Sequence, residues 1–207
     1  MHAHPSGEPG FIDLLRHGEP RGGARYRGHL DDPLSERGWQ QMREACAGAT
    51  PWRQLVSSPL LRCRAFAEAL AAEHELPCRV EPDLREISFG DWEGLTASQV
   101  QERDAEALQR YWQDPVRHTP PGGEPLTDCH RRVGAVLDSL LDEAEGDHLL
   151  VIAHGGIIRL LLARVLEMPL HAVLRLEVAN ASLSRLRVQR DINGRLAPSL
   201  VFHGGRP

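Results

Sequence analysis

The chain contains no lysine; all 24 of its basic residues are arginine. That absence removes the amine needed for a Schiff base to pyridoxal phosphate or to a carbonyl substrate, the Walker A lysine of a P-loop, and any lysine general base. Arginine stays protonated in proteins, so these groups clamp anions and act neither as bases nor as nucleophiles. Cysteine is sparse as well. The four, at 46, 63, 78 and 129, fit neither a CxxC redox motif nor a zinc knuckle and read as free thiols. Long hydrophobic runs are missing: the most apolar stretch, 157–166, is broken by Arg159 and Arg164, and the opening MHAHPSGEPG has no apolar region of the signal-peptide kind. Neither a membrane span nor an export signal is expected, which makes the cytoplasm the expected compartment. A basic block is absent too, because acidic residues and arginine alternate along the chain; this argues against a nucleic-acid surface.

What is present is an ordinary soluble composition: 207 residues, 41% hydrophobic, 26% charged, formal net charge −5. A chain of this length buries roughly 70% of its unfolded surface, enough for one core. Residues 1–10 read as a disordered tail and 11–207 as a single domain. The apolar run 11–15, interrupted only by Asp13, stops at Arg16-His17-Gly18 and predicts a buried strand. After Ser35, an N-cap, Trp39, Met42, Ala45, Cys46 and Ala49 recur at helical spacing. A strand at 54–57 precedes Ser58-Pro59, read as the opening of a second helix with Arg62 near its N-terminus. A third strand is expected at 79–81, then a loop over 84–94, then a helix from the Thr96/Gln99 capping box to Trp112. Beyond the Pro- and Gly-rich 118–125, Val133, Val136, Leu137, Leu140, Leu141 and Ala144 mark an amphipathic helix. The run 148–153 is a buried strand that passes directly into a helix over 157–166. Only the end departs from this alternation: 183–190 has period two, and Asn193-Gly194 signals a hairpin to 198–203. The pattern predicts an α/β fold, a three-layer α/β/α arrangement with a mainly parallel sheet and a C-terminal antiparallel hairpin.

Two junctions share one arrangement, a His directly after an apolar strand and directly before glycine: Leu15-Arg16-His17-Gly18 and Ala153-His154-Gly155-Gly156. Ligands of open α/β sheets gather outside the carboxyl ends of strands, so both imidazoles are expected to face one crevice. Arg16, Arg62 and the backbone N–H groups opening the helix after Gly156 would supply guanidinium forks and a helix N-terminus, a site for a dianionic phosphate. A neutral imidazole attacks phosphorus competently, and an unperturbed one, with a pKa of about 6.5, is neutral at physiological pH. The expelled alkoxide needs a proton, for which Glu86 is the candidate, with Asp91 and Glu93 as local competitors. Each group also has a plainer role: Arg62 as a solvated helix residue, Glu86 as a salt-bridge partner of Arg85 or Arg16. The remaining histidines read as surface or loop residues, since none has a metal-ligand spacing such as HExxH. Trp39, Trp92 and Trp112 read as packing groups, Trp92 being the one placed to wall the crevice.

In order along the chain, LLRHGE (14–19), RGHLDDPLSERG (27–38), SSPLLRCRA (57–65), the 84–94 loop, PPGGE (120–124) and VIAHGG (151–156) resemble the histidine phosphatase superfamily, in its phosphoglycerate-mutase-like branch. The likeness spans about 11–187. It implies a phosphoglycerate-mutase-like fold, with His17 as the phosphorylated nucleophile and Glu86 as the proton donor and later the base for water. Arg16, Arg62 and His154 would hold phosphoryl oxygens with Gly155 beside them, and Arg27 and Gly28 would face the substrate. It implies no metal and no cofactor. Two departures stand out: the Asn that often follows the first motif and contacts phosphate is missing from 19–29, and Arg27 stands where mutases commonly carry Thr. The short interval from 86 to 154 is similar to phosphatase members, and the 26–31 and 120–124 contexts resemble α-ribazole phosphatases. The activity so implied is metal-independent hydrolysis of a small phosphorylated metabolite through a phosphohistidine, α-ribazole 5′-phosphate being one candidate. A phosphoglycerate mutase and a non-catalytic phospholigand-binding module remain as alternatives. The expected partner is a small phosphate ester; the assembly state, a homodimer included, stays open.

Overall fold

In the computed structural model, which describes residues 8–48 and 51–205, six strands form one sheet. β1 (Gly10–Arg16), β2 (Gln54–Ser57), β3 (Cys78–Val80) and β4 (His148–Ala153) run parallel in the order β3-β2-β4-β1. Beyond β1, β5 (Leu183–Arg190) and β6 (Leu196–Gly205) continue the sheet antiparallel, the expected hairpin, joined through Asp191 N–H donating to the Arg195 carbonyl (2.8 Å). Alternate side chains of the parallel strands serve opposite faces. Leu149, Val151 and Ala153 of β4 pack with α4 (Leu126–Glu143) and α5 (Gly155–Val165), whereas Leu150 and Ile152 pack with α1 (Glu36–Ala45) and α2 (Leu61–Glu73). Burial on both faces is why these strands read as continuous apolar runs. α3 (Ala97–Gln113) forms a smaller cluster of Trp92, Val100, Leu108 and Tyr111. Its capping box is present, and it breaks at Asp104, whose backbone is extended and whose carboxylate accepts from Ala107 N–H (2.8 Å) to restart the helix.

Several boundaries differ from the sequence expectation. Of the 1–10 tail, residues 1–7 lie outside the described residues, while Gly10 belongs to β1 and abuts α4's end so closely that a Cβ would sit 1.5 Å from the Ala144 carbonyl oxygen. α2 begins at Leu61, not at Pro59. Its N-cap, Leu60, offers no side-chain acceptor, and Asp31 from a distant loop accepts the Leu61 N–H instead (2.5 Å). Ser58 Oγ accepts from Leu60 N–H (3.3 Å) and also faces His154. Of the histidines expected at the surface or in loops, His148 and His203 are strand residues and His130 lies on α4, all three partly exposed. The Asp13 that interrupts the first apolar run is fully buried and accepts from Trp52 Nε1 (2.8 Å), Arg185 Nε (2.7 Å) and Arg185 NH2 (2.9 Å), with His148 Nε2 at 3.0 Å. All four cysteines are free. Among the described residues no helix is long and apolar enough to cross a membrane.

Candidate active site

β1, β4 and β2 are adjacent and end at the same level, so the residues that follow them arrive side by side. Arg16 pairs with Ala153 across the β1/β4 ladder, and the next residue of each strand brings His17 and His154 together, ring centroids 5.2 Å apart in an edge-on arrangement. Ser58, the residue after β2, puts its Oγ 2.6 Å from His154 Nε2. His17 is 4% exposed and His154 fully buried.

Hydrogen bonding assigns the proton positions. His17 Nδ1 lies 2.7 Å from the Gly18 carbonyl oxygen, which can only accept, so Nδ1 carries the proton and Nε2 keeps its lone pair. Arg62 Nε–H donates to His154 Nδ1 (3.2 Å), which leaves the His154 proton on Nε2, toward Ser58. Burial, and then the Arg62 and Arg16 guanidiniums, hold the His17 imidazole well below its ordinary pKa despite the opposing Gly18 bond. His154 is held well below by burial, then Arg62, then His17. Both rings are therefore neutral at neutral pH.

The cations are fixed by backbone carbonyls. Arg62, 1% exposed in the first turn of α2, donates from NH1 to Leu30 O (2.6 Å) and from NH2 to Gly28 O (2.9 Å), which excludes the solvated role. Arg16 donates from NH1 to Val178 O (2.5 Å), while its buried Nε has no partner among the described residues. Burial lowers the Arg16 pKa; Glu86 opposes this, and Arg159 and Arg62 add to it. Glu86 forms no salt bridge with Arg85 or Arg16 among the described residues. Its Oε2 accepts from Gly156 N–H (3.2 Å) and its Oε1 from Ile87 N–H (3.2 Å), seating the carboxyl on the N-terminus of α5. Arg16, His17, Arg62, Glu86 and Gly155 line one cavity of about 380 Å³, and His154 stands behind His17.

The family model of the histidine phosphatase superfamily (branch 1) matches residues 12–194. This chain belongs to that superfamily. It is 39% identical over 184 residues to the bifunctional protein Rv2228c of Mycobacterium tuberculosis, covering 86% of this chain but 50% of that protein, so it spans about half that relative's length. With the adenosylcobalamin/alpha-ribazole phosphatase of Escherichia coli it shares 29% identity over 194 residues, 92% of this chain and 94% of the relative. The solved structure of mycobacterial glucosyl-3-phosphoglycerate phosphatase Rv2419c superposes with a TM-score of 0.84 at 29% identity, covering 96% of this chain and 100% of that one. The mostly parallel sheet with its antiparallel hairpin is accordingly the phosphoglycerate-mutase-like fold.

Within this superfamily member, three of the expected residues make contacts that the sequence reading did not include. His154 touches His17, its Nε2 lies 2.6 Å from Ser58 Oγ, and its Nδ1 accepts from Arg62 Nε–H. Arg27 lines the cavity yet donates to Asp32 Oδ2 (3.1 Å), Arg21 O (2.6 Å) and Gly23 O (2.7 Å), so it organises its own loop and reaches His17 through its charge. Gly28 holds φ +48°, and a Cβ there would lie 2.0 Å from Glu93 Oε1, so its part is to shape the loop that grips Arg62. Trp92 packs behind the wall made by Tyr26, Phe89 and Tyr111, and Trp112 is 52% exposed. Sequence reasoning missed Ser58, Arg159, Asn180 and Gly156. A doubled glycine at the strand–helix junction was the signal for Gly156, where a Cβ would meet Glu86 Oε1 at 2.5 Å. Nothing in the sequence pattern ties Asn180 to the site. It lines the cavity, and its neighbour Ala181 donates its N–H to the His17 carbonyl (3.2 Å), so an amide side chain reaches the crevice from a segment far from 19–29.

Proposed function

We propose that this domain hydrolyses small phosphomonoesters in two displacements, without a metal ion, through a phosphohistidine on His17. In the first, the His17 Nε2 lone pair attacks phosphorus, the bond to the leaving oxygen breaks, and Glu86 gives that oxygen its proton. In the second, water attacks phosphorus, the Glu86 carboxylate takes its proton, and the P–N bond breaks to release phosphate and restore neutral His17. Arg16, Arg62 and the Gly155 N–H hold the phosphoryl oxygens, and orientation and charge neutralisation supply most of the acceleration. His154 acts through Arg62, which its Nδ1 aims, and through ring contact with His17; a direct phosphoryl contact requires its Nε2–H to leave Ser58.

The observation that carries this reading is a neutral imidazole whose Nε2 has no hydrogen-bond partner among the described residues, in a cavity that also holds two guanidiniums and a carboxyl seated on a helix N-terminus. The names of the Escherichia coli relative and of Rv2419c support a phosphatase acting on a metabolite ester. Tyr26, Phe89 and Tyr111 in the same cavity suit an aromatic leaving group, which makes α-ribazole 5′-phosphate the first substrate to assay. The test is released phosphate across an ester panel, with and without chelator, alongside 2-phosphoglycerate formation from 3-phosphoglycerate. His17→Ala abolishes release with the fold intact. Retained hydrolysis would remove His17 as nucleophile, isomerisation outrunning release would make the domain a mutase, and binding without turnover would make it a ligand-binding module.

A further inference from the structure

The loop that carries Glu86 holds a second carboxylate, Glu93, to which the chemistry above gives no role. It points away from the reaction and into a joint between two loops. Oε1 accepts from His29 N–H (3.0 Å), Phe89 N–H (3.1 Å) and Ser88 Oγ–H (3.1 Å), and Oε2 accepts from Leu30 N–H (3.1 Å). Residues 29–30 and 88–89 are thereby tied through one side chain. Two backbone bonds, Tyr26 N–H to Leu95 O (2.9 Å) and Gly94 N–H to Tyr26 O (2.8 Å), close the same joint.

Both sides of the joint lead to the reacting groups. On one, the Gly28 and Leu30 carbonyls receive the two terminal nitrogens of Arg62, and Asp31 receives the Leu61 N–H at the start of the same helix. The 28–31 loop is thus a socket for the phosphate clamp, and it is built around Glu93: Gly28 takes φ +48° where a Cβ would be 2.0 Å from the carboxylate. On the other, Ser88 and Phe89 lie two and three residues beyond Glu86. The Glu86 carboxyl is held by Gly156 N–H at Oε2 and, at Oε1, by the N–H of Ile87, the residue just before this pair, so a shift at 88–89 reaches it through a short stretch of chain.

We infer that Glu93 is a positioning residue that sets the spacing between the Arg62 clamp and the Glu86 proton donor. The inference rests on the donor role proposed for Glu86. Beside the backbone bonds between Tyr26 and residues 94–95, Glu93 is the side chain that ties residues 29–30 to residues 88–89, so the distance between acid and phosphoryl group is sensitive to it. A displacement of about 1 Å at a reacting group costs on the order of a hundredfold.

Glu93→Gln is the test. The amide keeps the three Oε1 bonds but turns an NH2 toward Leu30 N–H, which keeps only its bond to the Arg27 carbonyl (2.8 Å), so two donors face each other and the joint loosens on the Arg62 side without losing its packing. Hydrolysis is compared across an aryl phosphate series from p-nitrophenyl phosphate, whose leaving group needs little protonation, to phenyl phosphate, which needs more. The expected result is a loss of kcat of about tenfold on phenyl phosphate against about threefold or less on p-nitrophenyl phosphate. Competitive inhibition by inorganic phosphate weakens in parallel, and the melting temperature stays within a few degrees. Glu93→Asp, which keeps the charge but falls short of one loop, shows the same steepened leaving-group dependence and serves should the glutamine variant lose its fold. Equal loss across the series, or none, in a folded variant overturns the inference and leaves Glu93 as a structural tie. Glu86→Gln run beside them separates the two readings: if it leaves the leaving-group dependence unchanged, Glu86 is not the donor.

Discussion

Replacing Gly156 by alanine is expected to move stability and activity apart. The position lies in the first turn of α5 with ordinary backbone angles, so alanine fits the helix and gains about 0.5–1 kcal/mol of propensity over glycine. The new Cβ would stand 2.5 Å from Glu86 Oε1 and 3.3 Å from Ile87 Cγ2. Restoring an ordinary carbon–oxygen contact of at least 3.4 Å pushes the carboxyl about 1 Å from its seat and stretches the bond from Gly156 N–H, now 3.2 Å. General acid catalysis is worth about 10²–10⁴-fold, and a misplacement of this size forfeits on the order of 10² of it. The assay is phosphate release from phenyl phosphate, paired with thermal melting and with Gly155→Ala as control. At Gly155 a Cβ meets Arg159 NH1 and Arg16 Nε at 3.4 Å, ordinary contact distance, so activity there falls by less than about fivefold. A Gly156→Ala protein that melts no lower than its parent and keeps activity within about threefold would refute both the seat assigned to Glu86 and its part in the reaction.

Acidification tests the neutral histidines. Both His17 and His154 are held well below the ordinary value when folded, whereas the unfolded chain titrates them near about 6.5. Below that pH the unfolded chain binds protons the folded one refuses, so their contribution to stability is intact above about 6.5 and is lost as pH falls toward the folded values. With two such groups, denaturant titration gives a protein up to about 3 kcal/mol less stable at pH 5.5 than at 7.5, and equal stability would show that the rings protonate in place. Asp13→Ala leaves the Trp52 N–H and the Arg185 fork without their acceptor; with Arg185 partly exposed, the cost is about 3 kcal/mol by the same titration, and a loss under about 1 kcal/mol would make the cluster incidental. Burial alone raises the Asp13 pKa, but the bonds from Arg185, His148 and Trp52 outweigh it and hold it below the ordinary value. Its contribution is therefore present above about pH 3.9 and lost only below it, a window separate from that of the histidines.

The parallel strands, the helices between them and the two His-Gly junctions were legible because their signals are local. Apolar periodicity, a capping box and glycine after a strand act within a few residues, and the parallel alternation of types leaves few ways to order the sheet. The sequence thereby placed His17 and His154 at the carboxyl ends of two strands, facing one crevice, while the strand order that makes those strands neighbours came from the fold. What it left open concerns partners brought from far along the chain. Register alone makes the two rings touch, and Gly18 and Arg62 decide which nitrogen of each carries the proton. Arg62 reads as a surface residue of its helix until the 28–31 loop folds over it, and only the fold shows that Arg27, expected to face the substrate, also donates to Asp32, Arg21 and Gly23. Asp13 breaks an apolar run, and only the arrival of Arg185, 172 residues away, explains a carboxylate in the core. Proton positions, ion pairs and the seat of the acid depend on distances of a few tenths of an ångström between segments that no local pattern relates, so the folded chain had to decide them.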